Sequence, residues 1–160
     1  MKKVLVSGTF DPPTLGHLSI IKKCAEIFDT VVVCVFVNPE KKPLFTVEER
    51  IEMISAMCKD LPSVTVDYFE GMLADYARQN SIEYVARGIR DGKDAEYELF
   101  MAEKNREYNE ELNTVFFPAE KDLCTVSSTQ IRDNIDDLAS VKNMLCESVT
   151  KIIERIRKES

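Results

Sequence analysis

Short runs rich in β-branched residues return along this chain at intervals that leave room for a helix between one run and the next, and no other feature restricts the fold as much. The runs are Lys3–Ser7, Thr30–Val37, Val64–Phe69, Ile82–Ala86 and Thr114–Phe117, and each reads as a short buried strand. Between them apolar residues recur at helical spacing, as in Leu18, Ile21, Ala25 and Phe28. Thr46 followed by Glu49 forms a capping box, in which each side chain satisfies a free amide at a helix start, and it predicts a helix over Val47–Lys59. Tyr97–Glu111 is a further expected helix. Val141, Leu145, Val149, Ile152 and Ile156 should form one apolar stripe on a last helix that docks on the rest. Strands that alternate with helices pair in parallel through right-handed crossovers. The expected fold is therefore α/β: a Rossmann-like doubly wound parallel sheet with helices on both faces and a C-terminal helix. At 160 residues a single domain over 1–160 is expected, long enough to bury a core without metal or disulfide staples.

Charge and cysteine usage narrow the function. A net charge of −7 argues against a general nucleic-acid binder, because neutralising phosphates needs a basic face. The expected partner is a small molecule. Cys24, Cys34, Cys58, Cys124 and Cys146 are scattered, odd in number and never arranged as C-x-x-C, which reads as reduced, packed thiols in a cytosolic protein. A catalytic thiol would need a base, and His17 is the only histidine. The apolar run near Met1 is too short for the core of a signal peptide, and no stretch approaches transmembrane length. The expected location is the cytoplasm, with no membrane partner.

Ligands of doubly wound sheets bind beyond the carboxyl ends of the strands, where the strand order reverses. The segments to examine are those that follow strands: Gly8–His17, Asn38–Phe45 and Arg87–Lys93. In the first, Gly8 permits a tight exit and close approach by a ligand, Pro12 and Pro13 stiffen the loop, and Gly16 lets backbone pass close to a phosphate. His17 falls in the first turn of the next helix, where free amides and the helix dipole favour an anion and an imidazole N–H adds a directed donor. The same histidine reads equally well as a plain helix cap. Lys41 and Lys42 judged alone are a solvated lysine pair. Arg87 and Arg90 suit bidentate phosphate contact, with Gly88 opening the backbone between them. Ser127, Ser128 and Thr129 stand at a further helix start, where they either cap it or present amides to phosphate. Glu96 and Glu98, two apart on a helix, point to different faces and make no metal pair; no protein metal ligands are expected. Leu73 alone reads as core.

The segment Thr14-Leu15-Gly16-His17 resembles the T/HxGH signature of the nucleotidyltransferase superfamily, and its Thr-x-Gly-His form is similar to that of the phosphopantetheine adenylyltransferases. The resemblance continues in order and spacing through Asn38-Pro39-Glu40-Lys41-Lys42-Pro43-Leu44-Phe45-Thr46-Val47-Glu48-Glu49-Arg50, Arg87-Gly88-Ile89-Arg90, Glu96-Tyr97-Glu98 and Val126-Ser127-Ser128-Thr129. It implies transfer of AMP from ATP to 4'-phosphopantetheine, giving dephospho-coenzyme A and pyrophosphate, with dephospho-coenzyme A and coenzyme A as product-like ligands. It implies that His17 and Lys41 are catalytic and that Thr9 contacts both ligands, with Lys41, Leu73 and Arg87 at the acceptor. Around ATP it places Thr9, Phe10, His17, Gly88, Ile89, Arg90, Glu98, Leu123, Cys124, Thr125, Val126, Ser127, Ser128 and Thr129. Mg²⁺ should arrive on the ATP phosphates, and the family implies a homohexamer. The chain departs from the family at Ala95 and at Leu123-Cys124-Thr125, where aromatic residues are common, so the packing of the nucleotide is expected to differ there. Two rival readings stand at this point: an adenylyl- or cytidylyltransferase with another acceptor, and a non-catalytic nucleotide-binding module on the same sheet.

Overall fold

A computed structural model describes residues 1–160. The strands β1 (Lys3–Gly8), β2 (Thr30–Val37), β3 (Val64–Glu70), β4 (Tyr84–Ile89) and β5 (Asn113–Pro118) form one parallel sheet in the order β3-β2-β1-β4-β5. The order reverses between β1 and β4, which is the switch point of a doubly wound sheet. The helices α1 (Leu15–Ile27), α2 (Val47–Met57), α3 (Leu73–Gln79), α4 (Gly92–Tyr108), α5 (Ser128–Asp133) and α6 (Glu147–Glu159) cover it. None is long and apolar enough to cross a membrane.

Strand alternation sorts the core into layers. Val4, Val6, Val31, Val33, Val35 and Ala86 point to the side packed by Ile21, Cys24, Met53, Ile54, Val149 and Ile153 from α1, α2 and α6. Leu5, Val32, Cys34 and Val85 point the other way and pack on Tyr76 and Ala77 of α3. A right-handed crossover moving outward from β1 places its helix on one face, and one returning across β1 places it on the other. Burial pushes the thiols of Cys24 and Cys34 up to about 12 and that of Cys58 up to about 11, which removes their nucleophilic form and fits packed cysteines.

The helix expected over Tyr97–Glu111 is α4, which begins earlier, at Gly92 behind the Asp91 cap, and ends at Tyr108. Two further expectations change. The fourth strand runs three residues past Ala86, so Arg87 and Gly88 lie within β4, in register with Phe116 and Phe117, and are not loop residues. A reading by hydrophobicity stops at Ala86 because Arg87 turns a polar group inward at the strand end. The stripe expected on one last helix also divides. Val141 belongs to a 3₁₀ segment, Leu138–Met144, and Leu145 ends it; Val149, Ile152 and Ile156 ride on α6. Extended backbone at Leu145 and Cys146 turns the chain so that α6 packs along α2. There Arg155 donates to both carboxylate oxygens of Glu52 at 2.7 Å.

Candidate active site

The ladder between β1 and β4 ends at Val6 and Ala86, although both strands continue. Where backbone pairing stops, a side chain bridges: Arg87 Nη1 donates to the Ser7 carbonyl at 3.0 Å. Alternation explains why this residue is available. Arg87 shares its face with Val85, the α3 and α4 side, and there meets Glu98 of α4 through two bonds of 2.8 Å. The Glu98 side chain is 7% exposed and that of Arg87 33%. Burial opposes the guanidinium charge, but hydrogen bonds and charge from Glu98 outweigh it and hold the Arg87 pKa above its ordinary value.

Above this seam opens a cleft of about 380 Å³. Its walls include Ser7 and Gly8 of β1, Gly16 and His17 of α1, Arg87 and Gly88 of β4, Arg90, Leu123, and Val126–Thr129. Thr14 caps α1, accepting from the His17 amide at 3.3 Å, and its own amide donates to His17 Nδ1 at 2.9 Å. Cap partner and cleft-lining group are thus one residue. With Nδ1 accepting, the ring proton belongs on Nε2, the only ring nitrogen left to donate elsewhere. The ring is further fixed by Phe10, whose centroid lies 4.8 Å away edge-on. Phe10 is buried and held at φ 51, a left-handed backbone rarely adopted by a bulky residue.

Burial, then the positive charges of Arg87 and Arg90, lower the His17 pKa to about 4. The imidazole is therefore neutral at pH 7. The unfolded chain takes up a proton below pH about 6.5 while the folded chain does not, so acid penalises folding between pH 6.5 and 4, by up to about 1.4 kcal/mol per pH unit from this group. Because the chain has one histidine, its imidazole NMR signals are unambiguous. They should show the Nε2–H tautomer and no titration between about pH 5.5 and 8; a midpoint near 6.5 would contradict this environment.

Cross-links hold the loops around the cleft. Asp11, 4% exposed, accepts from the amides of Leu44 and Phe45 at 2.9 Å each. Arg50 donates to the Thr9 carbonyl, Arg132 to the Asp11 carbonyl and Ser128 Oγ to the Pro12 carbonyl. Ser127 caps α5 by accepting from Gln130. Asp91 caps α4, while Asp94 accepts from the Arg90 amide and lies 3.5 Å from its side chain.

The structure thus brings together on one cleft His17, Gly88, Arg90, Glu98, Leu123, Val126, Ser127, Ser128 and Thr129, with Arg87. Thr9 and Phe10 follow Gly8, and Ile89, Cys124 and Thr125 adjoin the residues just named, but none of the five lines the cleft. Leu73 and Arg87 instead share a second cavity of about 270 Å³, walled also by Met72, Tyr97, Met101 and Asn105. Arg87 and Glu98 line both cavities. Lys41 stands on an exposed turn, its amide bonded to the Asn38 carbonyl, and lines neither. Sequence reasoning missed Ser7, Ser19, Asp94 and Glu120, which also line the cleft. Of these only Asp94 left a signal, the Asp91-x-x-Asp94 spacing of a helix start.

Chemically, the cleft offers a neutral imidazole N–H, two guanidinium groups and a helix start, a donor set suited to an anion. Residues 5–134 match the cytidylyltransferase-like family. The phosphopantetheine adenylyltransferase of Caldanaerobacter subterraneus subsp. tengcongensis is 37% identical over 153 residues, 96% of this chain and 93% of that one. That of Symbiobacterium thermophilum is 43% identical over 133 residues, 83% and 82% of the two chains. A solved Vibrio parahaemolyticus structure, provisionally assigned as a nicotinate-nucleotide adenylyltransferase, superposes with a TM-score of 0.65 at 20% identity, covering 97% of this chain and 93% of its own; at that identity the likeness concerns the fold.

Proposed function

This chain belongs to the cytidylyltransferase-like family, among its phosphopantetheine adenylyltransferases, and we infer that it transfers AMP from ATP to 4'-phosphopantetheine in coenzyme A synthesis. The observation that carries the reading in this molecule is the pair of cavities that share Arg87: one lined by side chains able to donate hydrogen bonds to phosphate, the other smaller and walled by Met72, Leu73 and Met101. ATP occupies the first. The pantetheine arm occupies the second, and its phosphate reaches Arg87 at the junction.

The reaction is an in-line displacement. An oxygen of the acceptor phosphate forms a bond to the α-phosphorus of ATP while the bond to the bridging oxygen of pyrophosphate breaks, and pyrophosphate leaves with that electron pair. The nucleophile is already anionic near neutral pH, so no protein base is needed. The work left to the chain is alignment and charge stabilisation. His17 Nε2–H donates to the α-phosphate as charge builds there, and Arg90 and the start of α5 hold the triphosphate. Lys41 reaches the attacking phosphate from its exposed turn, which Asp11 tethers at Leu44 and Phe45.

Mg²⁺ enters as part of the nucleotide substrate. The carboxylates lining the cleft are already engaged, Asp94 with Arg90, Glu98 with Arg87 and Glu120 with Ser19 and Lys23, which suits an ion held by phosphate oxygens and water. We further propose a cytoplasmic enzyme and assembly as a hexamer, supported by exposed Tyr97, Leu99 and Phe100 on α4.

The test is pyrophosphate release from ATP with phosphopantetheine, run beside nicotinate mononucleotide and beside CTP with glycerol 3-phosphate. Phosphopantetheine should be the one good acceptor. Equal or faster turnover with nicotinate mononucleotide would overturn the assignment, and ATP binding without pyrophosphate release would return the chain to the class of binding modules.

A further inference from the structure

Arg50 closes the run of residues from Asn38 that resembles the family, yet it is 2% exposed and lies out of a ligand's reach. A buried arginine is explained by what it holds. Its own place is set by the start of α2, where the Thr46 carbonyl accepts both the Arg50 amide at 3.0 Å and Arg50 Nε at 3.2 Å. From there Nη1 reaches across to donate to the Thr9 carbonyl at 2.9 Å. Burial opposes the guanidinium charge, and Asp11, then Glu48, offset part of that cost.

The Thr9 carbonyl belongs to the peptide plane from which the φ of Phe10 is measured, and that φ is 51. A left-handed backbone at a bulky residue persists only where its surroundings impose it. Arg50 holds the plane before Phe10. After it, Asp11 is held through its carboxylate by the Leu44 and Phe45 amides and through its carbonyl by Arg132. The Phe10 ring is thereby turned in beneath the cleft. It lies 3.3 Å from where a Cβ on Gly8 would stand, and it meets the His17 ring edge-on, 4.8 Å between centroids.

We propose that Arg50 is a positioning residue for His17, acting through the Thr9 carbonyl and the Phe10 ring. Its effect on turnover rests on the reading of His17 as the donor to the α-phosphate, while its effect on the imidazole itself does not. Without Arg50 the peptide between Thr9 and Phe10 turns toward an unstrained φ and the Phe10 ring withdraws. The imidazole then has room to swing about its bond to the Thr14 amide. A donor misplaced by about an ångström costs rate more than affinity.

The test joins kinetics with ATP and phosphopantetheine to the imidazole NMR signals of His17, the one histidine of the chain. Arg50→Met keeps the length of the side chain but donates nothing. It should lower kcat by about 10–50-fold, leave the KM for ATP within about threefold of wild type, and broaden or double the imidazole signals as the ring samples more than one place. Arg50→Lys keeps a charge and one donor for the Thr9 carbonyl, and it is the variant to use if methionine prevents folding. It should lower kcat by about 3–10-fold with the same broadening. Phe10→Leu leaves Arg50 and the main chain in place and removes only the ring, and it should broaden the same signals. A residue serving folding alone would lower the melting temperature and leave the imidazole signals as they are. Signals identical to wild type in folded Arg50→Lys and Phe10→Leu overturn the proposal, as does a kcat within twofold of wild type in the Arg50 variants that fold. A wild type that does not use phosphopantetheine overturns the functional reading alone, and the imidazole signals then decide this inference by themselves.

Discussion

Replacing His17 with alanine should slow turnover by at least about a hundredfold, the scale set by removing one preorganised donor to a developing charge, roughly 3–4 kcal/mol. ATP should bind with similar affinity, because the donor acts mainly on charge that appears in the transition state. The protein should melt within a few degrees of wild type, since the variant forfeits an acceptor for the Thr14 amide and a cap of that kind is worth about 1 kcal/mol. His17→Asn separates the two roles. Its amide oxygen can take the Thr14 N–H in place of Nδ1, but nothing stands where Nε2–H stood. Stability should recover and turnover should not. Retention of more than about a tenth of the wild-type kcat in either variant would remove His17 from the catalytic groups.

Asp11→Asn should unfold more easily by about 2–3 kcal/mol, a large effect for exchanging one oxygen for one nitrogen. The carboxylate accepts two backbone amides, those of Leu44 and Phe45, at 2.9 Å each. An asparagine side chain has a single acceptor oxygen, so one buried amide would face another donor. Leaving a buried donor unpaired costs about 1–3 kcal/mol, and the charge-assisted bonds are lost as well. The segment released carries Lys41, so the KM for phosphopantetheine should rise more than the KM for ATP. Urea unfolding and steady-state kinetics measure both. A variant as stable as wild type would show that the two loops are held by something other than this carboxylate.

The sheet was legible because a strand buried on both faces has to be written in Val, Ile and their like. Thr30–Val37 was bounded correctly at each end, and the capping box at Thr46 and Glu49 fixed the start of α2, where both reciprocal bonds form. Legibility ended where a residue serves two environments. Arg87 is a strand residue by backbone and a site residue by side chain, so a hydrophobicity pattern ends the strand one residue before it. At His17 the sequence leaves cap and anion donor as alternatives, whereas in the fold Nδ1 takes the capping bond and Nε2 stays available to the cleft. Glu98 and Arg87 could not be paired from sequence, because their meeting depends on which face α4 covers. Asp11 gave no signal either: its partners are main-chain amides, which no sequence pattern marks.

The seam beneath the cleft is also the shortest join in the sheet. β1 runs with β2 from Lys3 to Gly8 but with β4 only from Val4 to Val6. Its partners across the seam, Tyr84 to Ala86, lie much farther along the chain than Val31 to Val33, so closing it confines a longer loop and the halves meet late. β3-β2-β1 are thus synthesised before β4 and β5, although α6, which completes their core, comes last. A nucleotide seated as proposed, against His17 on one side and Arg90 on the other, would fasten the β1 side of the seam to the β4 side. By mass action its binding energy is added to the join that the backbone secures least.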